Sequence, residues 1–366
     1  MIEFELVDGL KSDGLCNEPL YTIKDNYGQT MTLDTHLLSK MIRAGHIKLK
    51  GYHSGCDDVI YPEDVVLKGK GKPLGLSKTK GMICGAVLGD ALGHFFDEHH
   101  DDITEFDTPE KIRSLIYEHS RGLDWTYRST NLLAAINCAI NSESNQINPV
   151  KFVKELYKSY KLGLWCNTKK MIGLSESAED AIKWYGLHSD ILKNKNFSDE
   201  ESIEGMVRAI AVVSSNTSDD LAMLTYATNR NDKTILCYVL YFKLINKVYC
   251  GKEITVEDLH NLANNRDTKS GVCEILYNTI RIIIETGSFE EALIRALHMN
   301  TCRADYGILV GALAGAYYGF KEVDETYMMD HVAMANVVMA AAIKLYSNGY
   351  GRYNPSVFGN SNEEEI

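Results

Sequence analysis

The sequence contains no apolar run approaching the ~20 residues that a membrane-spanning helix requires. Its opening residues, Met1-Ile2-Glu3-Phe4-Glu5, lack the basic start of a secretory signal. Both absences lead to the expectation of a cytoplasmic protein with no membrane contact. Cysteine is present without pattern: the nine residues Cys16, Cys56, Cys84, Cys138, Cys166, Cys237, Cys250, Cys273 and Cys302 form no Cys-x-x-Cys pair and no regular framework. An odd, scattered set argues against a disulfide scaffold. Cys84, Cys138 and Cys237 lie inside apolar helical runs, which fits reduced thiols acting as small hydrophobes. Positive charge is in short supply, with 38 Lys and Arg against 50 Asp and Glu and a formal net charge of -12. Nucleic-acid binding rests on a basic surface that displaces counterions, so no nucleic-acid partner is expected, whereas a local basic pocket for a small anion stays compatible with the balance. No internal repeat of fixed period is visible.

What is present is an ordinary globular composition, 45% hydrophobic and 24% charged, in 366 residues, enough for a large core or two domains. Residues 1–68 read as a small α+β module. Tyr21–Lys24 and Thr30–Leu33 are β-prone runs around the turn signal Asn26-Tyr27-Gly28 and predict a hairpin. Asp34 is placed to cap a helix from Thr35 to Ala44, with Gly45 closing it before the alternating strand His46–Lys50. His46, His53 and Cys56 are too irregular for a zinc site, and recognition of a protein partner is the role the module suggests. Residues 69–78, rich in Gly and Lys with Pro73, read as a linker.

From residue 79 to 350 the pattern is helical. Apolar residues recur at three-to-four spacing in Ile112–Tyr117, Leu132–Ile140, Phe152–Tyr160, Met206–Val213, Ile235–Val248, Ile275–Ile284, Ala292–Leu297, Ile308–Tyr318 and Val332–Tyr346. These predict one all-α domain, followed by a solvated tail over 351–366. At its start, Gly85, Gly89 and Gly93 recur every fourth residue and form one flush helix face. Glycine costs about 1 kcal/mol per interior helix position relative to Ala, so three in register signal close helix packing, or a close ligand as the alternative.

Three windows in this stretch carry a resemblance. Gly85 to Gly93, with Asp90 inside it, is similar to a Gly-x-x-x-Gly-Asp-x-x-Gly opening. Trp125-Thr126-Tyr127-Arg128-Ser129 precedes a helix where the pattern is Trp-Thr-Asp-Asp-Thr. Asn300-Thr301-Cys302-Arg303-Ala304-Asp305 leads into the small-residue helix ending Gly311–Gly319, where the pattern is Gly-Gly-Asp-Thr-Asp-Thr. The chain thereby resembles the ADP-ribosylglycohydrolase family, including the dinitrogenase reductase-activating glycohydrolases, over about residues 79 to 350. The resemblance implies an all-α ADP-ribosylglycohydrolase-like domain preceded by the small α+β domain. It also marks a departure. The family's two carboxylates after the Thr, and two more in the C-terminal window, help hold a pair of Mg²⁺-type ions; here those positions are Tyr127 and Arg128, then Cys302 and Ala304. Asp97 falls where the family places a further metal-binding acidic residue. Ser202–Arg208 matches a Gly-Asn-Gly-x-x-Met-Arg window only at its end, and Leu224-Thr225-Tyr226 matches Leu-Thr-His with Tyr226 for the His.

Three readings of the altered site follow. The first is a binder of ADP-ribose or a related nucleotide that needs no metal cofactor. In it Arg128 and Arg303 take the pyrophosphate, Thr126, Ser129, Asp305 and the helix-start amides complete the pocket, and Tyr127 and Tyr306 stack on a base or ribose. The second is a hydrolase that keeps catalysis with an acid/base pair drawn from Asp90, Asp97, Glu98 and Asp305, with Mg²⁺ as its cofactor, and in which Glu98-His99-His100-Asp101-Asp102 is a relocated metal site or else a solvated acidic loop. The third is a structural or interaction protein whose pocket is filled by Tyr127, Arg128 and Tyr306 through an Arg128–Asp305 salt bridge. The first is the expectation carried forward.

Overall fold

The computed structural model describes residues 2–12, 19–25, 30–34, 47–49, 75–99, 106–118, 122–142, 147–188, 200–213, 221–263, 271–326 and 328–350. Internal contacts divide the chain into two units, Met1–Ser77 with Ser347–Ile366, and Lys78–Tyr346.

In the first unit, strands β1 (Ile2–Ser12), β2 (Pro19–Asp25), β3 (Thr30–Asp34) and β4 (Ile47–Leu49) form a sheet in the order β3-β2-β1-β4. β2 and β3 pair antiparallel with Tyr21 opposite Leu33 and Lys24 opposite Thr30, the register of the expected hairpin. β1 pairs antiparallel with β2, with irregularities between Leu6 and Asp8 and between Gly9 and Lys11, and parallel with β4. The helix expected over 35–44 lies outside the described residues, as do the turn at 26–28 and the tail.

The second unit is helical. Its described elements are α1 (Gly75–His99, whose first residues belong to the other unit), α2 (Pro109–Glu118), α3 (Tyr127–Ile140), α4 (Pro149–Leu162), α5 (Glu176–His188), α6 (Glu204–Val213), α7 (Leu221–Tyr226), α8 (Asp232–Tyr249), α9 (Val256–Ala263), α10 (Gly271–Glu285), α11 (Phe289–Leu297), α12 (Arg303–Tyr318), α13 (Phe320–Glu325) and α14 (Ala335–Tyr350). Local sequence explains their ends: Asn148, Asn231 and Ser288 accept backbone N–H groups as N-caps of α4, α8 and α11, and Gly163 ends α4 in the left-handed region at φ 68°. Two expectations shift. Residues 75–78, read as linker, form the first turn of α1, where the buried Lys78 donates to the terminal carbonyls of α8, Val248 O at 3.1 Å and Tyr249 O at 2.7 Å. Val332 precedes α14 as extended chain, bridged to Leu123. α5, α7, α9 and α13 were not foreseen; α5 buries little beyond Ser177, Ala178, Ala181 and Ile182 and α9 only Leu262, too little apolar signal for a periodic pattern.

α1 and α12 form the axis of the core. Both are buried along nearly their whole helical-unit length, and they run antiparallel with Gly81, Gly85 and Gly89 against Gly315, Gly311 and Gly307, and Gly93 against Ala304. At each glycine rung a Cβ would fall inside the van der Waals envelope of the opposite carbonyl oxygen, so no larger residue fits without separating the helices. The expected glycine face is therefore a packing face. Its partner is the small-residue helix of the C-terminal window, and the register sets the last turns of α1 beside the start of α12. All seven described cysteines are free thiols.

Candidate functional site

The site forms where the C-terminal half of α1, the start of α3 and the start of α12 converge. The strand-like approach to α3 is fixed first: Leu123 N donates to His331 O at 2.6 Å, Trp125 Nε1 to Trp165 O at 3.0 Å, and Tyr127 N to Ile172 O at 2.6 Å. Thr126 then caps α3, its Oγ1 accepting from Arg128 N at 3.2 Å.

Asp90, fully buried on α1, is the anchor of this turn. One carboxylate oxygen accepts from Thr126 Oγ1 at 2.6 Å; the other accepts from Thr126 N at 2.9 Å, Ser129 N at 3.1 Å and Ser129 Oγ at 2.7 Å. An isolated buried carboxylate is strongly disfavoured, but one bonded by four donors at the positive end of a helix is not. The amides expected to receive a ligand anion at the start of α3 thus receive the Asp90 carboxylate instead. At α12, Asp305 N and Tyr306 N both bond Cys302 O, at 2.9 and 3.1 Å. Cys302 itself sits in the left-handed region at φ 56°, a conformation that favours glycine, and offers no side-chain cap.

The two helix starts are tied by charge. Arg128 Nε donates to Asp305 Oδ1, with 23% and 14% of the two side chains exposed, and Arg128 Nη1 also reaches Thr126 Oγ1 at 3.3 Å. Burial works against the Arg128 charge, yet Asp305, and behind it Asp90, raise its pKa above the ordinary guanidinium value. One turn past Gly93, Asp97 accepts from Arg303 Nη1 at 3.3 Å, with 11% of the Arg303 side chain exposed and 35% of Asp97. Two Arg–Asp pairs therefore meet at the start of α12, one reaching it from the start of α3 and the other from the end of α1.

The fold brings Asp90, Asp97, Thr126, Arg128, Ser129, Arg303 and Asp305 together around the starts of α3 and α12. Tyr127 and Tyr306 share their helix starts but turn inward. Tyr127 is 1% exposed and Tyr306 4%, both within the core, and the Tyr306 hydroxyl accepts from Asn278 Nδ2 at 3.2 Å. Neither ring presents a face for stacking, because each large aromatic residue is buried among the helices that pack on α3 and α12. A third side of the site was missed: His94 Nε2 lies 3.5 Å from Glu98 Oε1, and Asp124 accepts from Asn167 Nδ2 at 3.1 Å. Burial raises the Asp124 carboxyl above its ordinary range, with His94 lowering it and Glu98 raising it further. Adjacency to Trp125-Thr126 was the one signal that could have marked Asp124. Of the acidic run at 98–102, Glu98 is described as half exposed, and 100–102 lie outside the described residues.

The donor set does not fit the divalent ions the resemblance implies. Hard cations need several oxygen ligands, and here a guanidinium rests on Asp305 and another on Asp97. Among the described residues no group of three or more His, Cys, Asp or Glu is placed to hold a metal ion. Nor is any helix among them long and apolar enough to cross a membrane.

No family model matches this chain, and no curated protein matches it. Among solved structures, an "ADP-ribosylglycohydrolase-related protein complex" is similar, with a TM-score of 0.58 and 16% identity, covering 75% of this chain and 98% of that chain. The mostly helical architecture and this likeness agree: the chain has an ADP-ribosylglycohydrolase-like fold.

Proposed function

We propose that this chain is a non-hydrolysing member of that fold, a structural or interaction protein in which the Arg128–Asp305 pair holds together the two windows that bridging cations hold in the glycohydrolases it resembles. The observation that carries the reading is the Arg128 guanidinium lying against Asp305. A nucleotide diphosphate would have to displace Asp305 from Arg128 and Asp97 from Arg303, then sit beside Asp97, Asp124 and Asp305 as a like charge. The α3 amides that could have repaid that cost are bonded to Asp90. In this reading, recognition of a partner falls to the N-terminal unit.

Binding of ADP-ribose or a related nucleotide is the second reading. It is favoured by one feature, the convergence of two partly exposed guanidinium groups from opposite windows. Calorimetry with ADP-ribose, in Mg²⁺ and in excess chelator, separates the readings, together with an assay for ADP-ribose release from modified arginine and serine peptides. The proposal expects no release and no binding in either condition. Metal-independent binding that tightens in Asp305→Ala, where Arg128 is freed, would establish the second reading. Release by the wild type that is lost in Asp97→Ala would overturn both.

A further inference from the structure

Behind α12, the helix whose start carries Asp305, α8 and α10 bring two thiols into contact. Cys237 Sγ lies 3.4 Å from Cys273 Sγ, although the residues are 36 positions apart in sequence. Both are free thiols, Cys237 0% exposed and Cys273 3%.

The starts of the two helices build this contact. Gly271, at φ 62°, opens α10 and lets a carboxylate approach its first turn: Glu201 Oε2 accepts from Val272 N at 3.1 Å, while Glu201 Oε1 accepts from Lys233 Nζ on α8. A Cβ on Gly271 would fall 2.0 Å from that carboxylate oxygen, so the approach needs a glycine there. Cys273 follows Val272 directly, and Cys237 stands one turn after Lys233, so the thiols lie just beneath the Glu201 brace. Both helices are also bonded to α12: Tyr241 Oη, one turn beyond Cys237, donates to Leu309 O at 2.8 Å, and Asn278 Nδ2 of α10 donates to the Tyr306 hydroxyl at 3.2 Å. A disulfide places its sulfurs about 2.05 Å apart, so this pair must close by a further ~1.4 Å, or roughly 0.7 Å for each side chain.

We propose that Cys237 and Cys273 form a reversible disulfide, an oxidant-sensitive link between α8 and α10 that braces the bed on which α12 lies. The oxidant is a small peroxide. Cys273 is the attacking group: as the third residue of α10 it lies at the positive end of the helix, which favours its thiolate, and it carries the residual exposure of the pair. Opening of this terminal turn admits the peroxide. The Cys273 thiolate attacks one peroxide oxygen, the O–O bond breaks, and the departing hydroxide takes up a proton to leave as water. The Cys237 thiol then attacks the sulfenic sulfur; the S–S bond forms, the S–O bond breaks, and the Cys237 proton leaves in a second water. Two thiols are oxidised by two electrons and one peroxide is reduced to two waters, and a dithiol reductant reverses the link by exchange.

The reduced full chain, treated with hydrogen peroxide under native conditions, then unfolded in an alkylating reagent and mapped by mass spectrometry, tests the proposal. The expected product is a Cys237–Cys273 peptide pair lighter by two hydrogens than its reduced halves and absent after dithiothreitol. The oxidised chain is expected to unfold at a higher urea midpoint, because the link closes a long loop in the unfolded state, and Cys273→Ala is expected to lose both the link and the rise. Recovery of both cysteines in alkylated form would overturn the proposal, as would linkage of either to the exposed Cys250 or Cys302, or a link that forms only when oxidation is carried out in urea. A link that leaves the midpoint unchanged would overturn the bracing role. The mapping is made on the wild type, so it decides whether or not the variant folds.

Discussion

Arg128, at the start of α3, donates to the carboxylate of Asp305, at the start of α12, across 177 positions of sequence. The pair is mostly shielded from water, so its coupling survives screening better than a surface pair does. A double-mutant cycle with Arg128→Ala, Asp305→Ala and both together is expected to give a coupling of about 1–3 kcal/mol in urea unfolding. Additive single effects would show that the contact ties nothing.

Asp90 is predicted to be required for the fold of the Trp125–Ser129 window independently of any chemistry. Asp90→Ala leaves two amides and two hydroxyls without their acceptor, at about 1–3 kcal/mol per orphaned buried group. The expected result is a stability loss of at least ~3 kcal/mol, with early hydrogen exchange at the amides of Thr126 and Ser129. Exchange unchanged at those two amides would contradict the capping role.

Gly89→Ala tests the helix axis. The added methyl meets the backbone of Gly307 rather than a movable side chain, so relief requires α1 and α12 to separate. The loss is expected to reach or exceed the ~1–3 kcal/mol typical of overpacking, against a small gain for Ala in an exposed helix. A melting temperature at or above the wild type's would show that the ladder is not tight.

Asp124 gives a pH dependence with a defined sign. Its folded-state pKa is raised, first by burial, so the folded chain holds this proton more tightly than the unfolded chain does. Stability from this group therefore falls as pH rises from its ordinary value of 3.8 through the raised one, and the penalty persists above that window. Asp124→Asn, which cannot ionise, is expected to match the wild type at the acid end and gain on it as pH rises. Thermal melts in parallel across the acid-to-neutral range check this, and an advantage that shrinks with rising pH would reverse the assignment.

The periodic helices and the glycine face of α1 were legible in the sequence because each depends on residues three or four positions apart. The hairpin of β2 and β3 was legible from two β-prone runs around one turn. The same holds for the windows themselves, whose small residues and N-cap Thr126 are local signals. Helices such as α5 and α9 were not legible, since they bury too few large apolar side chains, Ile182 in one and Leu262 in the other, to mark a face in the sequence. Tertiary structure alone decided which groups face the site. Tyr127 and Arg128 are neighbours in sequence, yet the helix turns one into the core beside Glu204 and Arg208 and the other toward Asp305. It also decided that Asp90 answers the α3 amides and that Gly89 lies on Gly307. The sequence determined the elements through contacts within a few residues; the charges between them were matched only when the antiparallel packing of α1 on α12 brought their ends together.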